Sequence, residues 1–188
     1  QLANLGYDSG LLKSLQPILS KGNRAVTVAV HRGDRIVAIW PGLKDAAFGV
    51  AVDVGSTTIA AHLCDLASGE VLSSASLMNP QIRFGEDLMS RVSYVMMNPE
   101  GAEEMTQVIR EALNGLFAEV AAQINASVLD IVEISLVANP IMHHILLGIS
   151  PVELGGAPFA LATDAAVDIP AAELDLAINA GGRIYLLP

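Results

Sequence analysis

Apolar positions along the chain switch between two periods. The stretch "SGLLKSLQPILSKGN", from Ser9, repeats at helical spacing, with Ser9 as candidate N-cap and Gly22 as stop. Pro17 inside it predicts a kink or a split. "RAVTVAVHRGDRIVAIWPG" then predicts two strands joined at Arg32-Gly33-Asp34-Arg35. "PGLKDAA" reads as a boundary. Residues 1–46 are therefore expected to be the C-terminal part of a small α+β domain that begins upstream.

Residues 47–188 predict a second unit. "FGVAVDV" from Phe48 is almost wholly apolar, the pattern of a strand buried on both faces. Strands over 59–66 and 70–77 follow, separated by Ala67-Ser68-Gly69, and then a polar connection with a short helix near Asp87–Met96. The strongest helical signal covers 100–124. Met105, Ile109, Leu113, Leu116, Phe117, Val120 and Ile124 keep one stripe, with Asn98 as candidate cap and Pro99 at the first position. A strand over 131–137, a short helix "IMHHILLG" capped by Asn139-Pro140 and closed by Gly148, and a strand over 183–187 complete it. Between the last two lie a Gly/Pro/Ala-rich stretch, 150–170, and one helical turn in "ELDLAIN". Three meandering strands, helix, strand, helix, strand is the ribonuclease-H-like order without its final helix. The expected fold is α/β with a mixed five-stranded sheet. The crossover rule places 131–137 and 183–187 parallel, beyond the first strand, with the long helix covering the sheet.

Composition sharpens this. Of 188 residues, 52% are hydrophobic and 4% aromatic, so the core must be aliphatic. A net charge of −10 argues against nucleic acid, which needs Lys and Arg against phosphate. One cysteine, Cys64, precludes an internal disulfide and reads as a buried small hydrophobe in a cytoplasmic protein. No apolar run reaches membrane-spanning length. A chain that opens on Gln1 and stops at Pro188 after "RIYLL" reads as a piece of a longer protein.

The candidate chemistry lies at Asp53-Val54-Gly55-Ser56-Thr57-Thr58. Gly55 permits a positive φ and close backbone approach. Consecutive turn amides can form an anion nest, and three hydroxyls add donors. Asp53 could orient a hydrated Mg²⁺ through water. An ordinary turn, with Asp bonded to its own backbone, has the same composition.

The flanking residues add a resemblance. The strand–DxGxT–strand hairpin followed by "DLASGEVL" resembles the first phosphate motif of the actin, sugar-kinase and acetate-kinase ATPase superfamily. More narrowly, "VDVGSTTIAAHLCDLASGEVL", "NPQIRFGEDLMSRV" and "NPIMHHILLGISPVELGGAPF" resemble the reductive activators of corrinoid proteins. The resemblance implies the N-terminal half of an ATPase domain. In the intact protein that domain would couple ATP hydrolysis to returning cobalt(II) corrinoid to cobalt(I) for methyl transfer. It implies ATP or ADP and Mg²⁺ as cofactors and a 2Fe–2S cluster in an upstream domain that is not part of this chain. The implied partner is a corrinoid protein or cobalamin-dependent methyltransferase.

Asp53, Gly55, Ser56, Thr57 and Thr58 match the phosphate and metal loop. Asn79, Gln81, Gly85, Asp87 and Arg91 match the second block, and Asn139, Met142, His143, His144 and Gly148 the third. Ala138-Asn139-Pro140 stands where the family has Gly-Asn-Thr or similar. Alone, this half is expected to bind ATP weakly and to expose apolar surface that favours a homodimer or aggregation.

Asp87 and Arg91, four apart, could pair on a helix face, and Arg83 could touch phosphate or cover surface. His143 and His144 are adjacent, so one helix cannot aim both at one metal; one is expected buried and the other exposed. His62 reads as a sheet-face residue. A small-molecule kinase, with Asp87 as base, and a non-enzymatic docking module remain as rival functions.

Overall fold

The computed structural model describes residues 5–188; the first four residues of the expected 1–46 unit lie outside the described residues. A small sheet comes first. Strands β2 (Val26–His31) and β3 (Arg35–Pro41) form the expected hairpin, and β1 (Gly6–Tyr7) adds parallel to β3. Helix α1 (Ser9–Lys21) packs on β3. It differs from expectation in two ways. Asp8, in extended conformation, takes the N-cap position that Ser9 was expected to fill, and the helix runs through Pro17 as one element. The helix packs on β3 and lacks at Pro17 only the one backbone bond that proline cannot make.

The larger sheet has the order β6-β5-β4-β7-β9-β8. Strands β4 (Phe48–Val54), β5 (Thr58–Asp65) and β6 (Val71–Met78) form the antiparallel meander. Strand β7 (Ile131–Ala138) runs parallel to β4, and β9 (Arg183–Leu186) parallel to β7. The sheet has six strands rather than five, because β8 (Val167–Pro170) pairs antiparallel with β9 inside the stretch read as irregular.

Helix α2 (Leu88–Met97) and helix α3 (Gly101–Gln123) lie between β6 and β7. The expected cap at Asn98 is displaced. Asn98 ends α2, its Nδ2 donating to the Tyr94 carbonyl at 2.8 Å, and Glu100 precedes α3. Ile109, Leu113, Leu116, Phe117 and Val120 of α3 are fully buried against Val50, Val52, Ile59, Leu63, Ile134 and Leu136 of the sheet. This is the aliphatic core that composition demanded.

Strand β4 is not buried on both faces. Phe48, Val50, Val52 and Val54 face the core, whereas Ala51 and Asp53 are exposed. Cross-strand pairing sets exposed Ala51 beside His62 and Ser135, and His62 beside Ser74, so one side of the sheet is an open, small-residue surface. Cys64 lies on this side and is half-buried, not buried as expected. His62 is the sheet-face residue anticipated, its Nδ1 at 2.7 Å from Ser74 Oγ. Among the described residues no helix is long and apolar enough to cross a membrane.

The two sheets meet through an apolar contact of Val37 and Ala38 with Val132 and through polar and charged groups. Trp40 Nε1 and Lys44 Nζ donate to Asp130 at 3.1 and 2.8 Å. Asp168 on β8 accepts from Arg183 Nε at 2.7 Å and pairs with Arg32 of the β2–β3 turn at 3.1 Å.

Candidate phosphate-binding loop

The β4–β5 turn is the four-residue loop Gly55–Thr58, closed by a Gly55 N–H bond to the Thr58 carbonyl at 3.0 Å. Gly55 is required for space rather than for a positive φ, which it does not adopt. A Cβ there would sit 2.7 Å from the Thr58 oxygen. Sequence reasoning named both uses of glycine; only the close approach applies, and it is to the loop's own backbone.

The carbonyls of this loop are held from behind. Asn79 Nδ2 donates to the Gly55 carbonyl at 2.8 Å, Arg91 Nη2 donates to the Ser56 carbonyl, and the Asn79 N–H donates to the Thr57 carbonyl at 2.7 Å. In a trans peptide the C=O and the following N–H point in opposite directions. Tying the 55 and 56 carbonyls inward therefore turns the Ser56 and Thr57 amides away from the interior. Neither amide has a protein acceptor among the described residues. Nor do the side chains of Asp53, Ser56, Thr57 and Thr58 have hydrogen-bond partners there. Two outward N–H groups beside free hydroxyls are the donors that an anion nest would need.

Asp65 shows what an acid used as a turn cap looks like in this same chain. Its Oδ1 accepts from the Ala67 and Ser68 amides, each at 2.8 Å, and the Ser68 amide first, then that of Ala67, holds its carboxyl below the ordinary carboxylate range. Asp53 makes no such bonds. It stands exposed two residues before the loop.

The second block supplies the brace. Asn79 and Gln81 are fully buried. Asn79 Oδ1 accepts the Gln81 N–H at 2.9 Å, and Gln81 Nε2 donates to the Met105 carbonyl of α3 at 2.9 Å, leaving Gln81 Oε1 without a partner among the described residues. Gly85 fits tightly against α2, where a Cβ would lie 2.7 Å from the Arg91 nitrogen. Arg83 is exposed and covers the Phe84 ring at 4.7 Å.

The expected Asp87–Arg91 pair does not form. Asp87 is the N-cap of α2, and both oxygens go to Ser90: Oδ1 to its amide at 2.8 Å and Oδ2 to its hydroxyl at 3.0 Å. Arg91 turns inward instead and is fully buried. The Ser90 amide is the main cause holding the Asp87 carboxyl below its ordinary range. A folded-state pKa below the unfolded value gives stability that is present above the unfolded carboxylate pKa and lost as pH falls through the folded one. Asp87→Asn should therefore flatten the acid limb of the unfolding curve below about pH 4, relative to wild type, in a thermal melt series.

On the far side, β7 runs into Asn139, whose Oδ1 caps helix α4 (Pro140–Leu146) by accepting the Met142 N–H at 3.0 Å. Pairing of Val54 with Ala138 puts this cap beside the β4–β5 loop, and Met142 Sδ lies 3.2 Å from Arg91 Nη1. His143 and His144 are both buried, not one of each. His144 Nδ1 lies 2.8 Å from the Pro140 carbonyl, and its Nε2 accepts the Ala162 N–H at 2.9 Å. The segment carrying Ala162 thus covers the face that a free helix would expose. Burial, then the His144 ring, pushes the His143 pKa down.

The donor set fits a phosphate group: unpaired amides, unpaired hydroxyls, and a carboxylate able to orient cation-bound water. Among the described residues no group of three His, Cys, Asp or Glu could hold a metal, so Mg²⁺ would depend on phosphate and water as well as Asp53. Asn79 and Arg91 were located by sequence, but not their use as braces, since no local pattern reports a bond to a loop 24 or 35 residues away.

Comparison with known proteins gives concordant results. Residues 48–188 match the model of the RACo middle region and residues 1–46 that of the RACo linker region. The chain is 30% identical over 158 residues to the corrinoid activation enzyme RamQ of Eubacterium limosum, covering 83% of this chain and 27% of that protein. A solved structure described as a reductive activator for corrinoid,iron-sulfur protein superposes with a TM-score of 0.83 at 31% identity, covering 98% of this chain and 30% of that one. The chain thus spans under a third of the length of either relative. With its linker and middle regions both matched in order, the chain belongs to the RACo family.

Proposed function

We propose that this chain is the first half of the nucleotide-binding part of an ATP-dependent reductive activator, which returns a corrinoid protein from cobalt(II) to cobalt(I). One observation carries the reading: Asp53 and the 56–58 hydroxyls are spent on no bond that the fold needs, while Asn79 and Arg91 hold the loop with its amides outward. The Ser56 and Thr57 amides would donate to phosphate oxygens, and the hydroxyls of Ser56, Thr57 and Thr58 would complete the cradle. Asp53 would orient water on Mg²⁺, whose contribution is to neutralise phosphate charge. This is positioning and electrostatics rather than covalent catalysis. Asn139, beside the loop, is the remaining candidate contact. The division at residue 46, the cytoplasmic setting and a corrinoid protein or cobalamin-dependent methyltransferase as partner belong to the same reading. So does a 2Fe–2S cluster outside this chain, since Cys64 alone cannot hold one.

The test is cobalt(I) formation by the full-length protein with its corrinoid partner, with and without Mg-ATP, followed in the visible spectrum. ATP-independent reduction would refute the reading. A kinase is disfavoured by Asp87, whose two oxygens are engaged by Ser90 at the start of α2. Phosphorylation of an acceptor by the full-length protein would restore that rival. Thr57→Val should weaken Mg-ATP binding by about 1–2 kcal/mol in calorimetry, with the unfolding midpoint unchanged, because the exposed hydroxyl supports nothing in the fold.

A further inference from the structure

Arg91 is the largest fully buried side chain of the protein. Burying a guanidinium is costly unless a counter-charge comes with it. Here none does. Its acceptors are the Gly85 carbonyl at 3.0 Å, the Met142 sulfur at 3.2 Å and the Ser56 carbonyl, all neutral. Every ion pair closer than 4.0 Å among the described residues involves other cations. Asp87, the acid four residues before it, bonds Ser90 and acts on Arg91 only through its charge, beyond contact distance.

The Ser56 carbonyl belongs to the same peptide group as the Thr57 N–H. A cationic donor on that oxygen polarises the peptide and strengthens the opposite N–H as a donor. The guanidinium thus sits one peptide away from an unpaired amide of the anion nest.

We propose that Arg91 is a positioning residue whose counter-ion is the phosphate taken by the loop. The inference rests on the nucleotide reading above. Without phosphate, the buried cation is held by neutral acceptors and by the Asp87 charge beyond contact distance. With phosphate, it is balanced across the 56–57 peptide, and the loop discriminates by charge rather than by base or sugar.

The experiment uses the full-length protein and titrates ATP and, as an uncharged control, adenosine into wild type, Arg91→Met and Arg91→Lys. Arg91→Met is expected to weaken ATP binding roughly 10- to 100-fold, the scale of one hydrogen-bonded charge. Adenosine binding should not change, and Arg91→Lys should recover most of the loss because it keeps the charge. A purely structural brace predicts otherwise: ATP and adenosine weaken together, and Lys, lacking the fork, rescues nothing. Either of those results, or Arg91→Met binding ATP like wild type, overturns the proposal. If Arg91→Met does not fold by circular dichroism, Arg91→Gln against Arg91→Lys makes the same comparison. Wild type that binds no ATP would remove the nucleotide reading and this proposal together. Wild type that binds, with variants indistinguishable from it, removes this proposal alone.

Discussion

Asp53→Asn in the full-length protein is expected to lower the ATPase rate by about 100-fold or more, the scale of one preorganised electrostatic group, and to leave the thermal midpoint unchanged. Both halves follow from the side chain's position. It is exposed at the penultimate position of β4 and accepts no hydrogen bond among the described residues, so the amide removes no native contact. What it removes is a formal charge next to the proposed phosphate loop, where a carboxylate is favourable only if a cation bridges the two. Cobalt(I) formation should fall in step if hydrolysis drives it. Asp65 is the internal control. Asp65→Asn disturbs an acid bonded to two turn amides and should change stability, not turnover. If Asp53→Asn lowers the melting temperature while turnover survives, the residue is a turn cap after all.

Asn79→Ala should be the most destabilising change at the site, costing about 2–4 kcal/mol and lowering ATP affinity with it. The side chain is wholly buried and makes two bonds, to the Gly55 carbonyl and from the Gln81 amide. Alanine leaves both groups without a partner, at about 1–3 kcal/mol for each that stays dry. The Gly55 carbonyl, once free, no longer fixes the direction of the Ser56 amide, so stability and binding are lost through the same bond. Thermal melts and Mg-ATP calorimetry on the full-length variant measure the two effects. A variant that melts early but binds ATP with unchanged affinity would separate the brace from the nest.

α3 was legible because it buries one face and so carries a period, and β4 as an apolar run, although only one of its faces is covered. β8 was not. It is four residues long, lies among Gly, Pro and Ala, and exists only because β9 offers an edge to pair with. The Asp87–Arg91 pair failed for a related reason. Spacing of four predicts neighbours on a helix, but Asp87 sits at the N-cap, where its oxygens turn to Ser90, and Arg91 finds its partners in Gly85, Ser56 and Met142. His143 and His144 were split into buried and exposed by helical geometry, which knows nothing of the chain near Ala162 that covers them. For the candidate loop, residue types and the need for glycine at 55 were readable in the chain, though the glycine makes room for the loop's own backbone. The inward carbonyls were not, because three bonds from distant residues set them.

The central claim is that the Ser56 and Thr57 amides receive phosphate. Hydrogen–deuterium exchange of the full-length protein tests it directly, because both amides lack a protein acceptor and should exchange fast when free. Mg-ATP should slow exchange in a peptide covering 55–58, and Asp53→Asn should weaken that protection. Saturating Mg-ATP that protects other segments and leaves 55–58 exchanging at its free rate would contradict the claim.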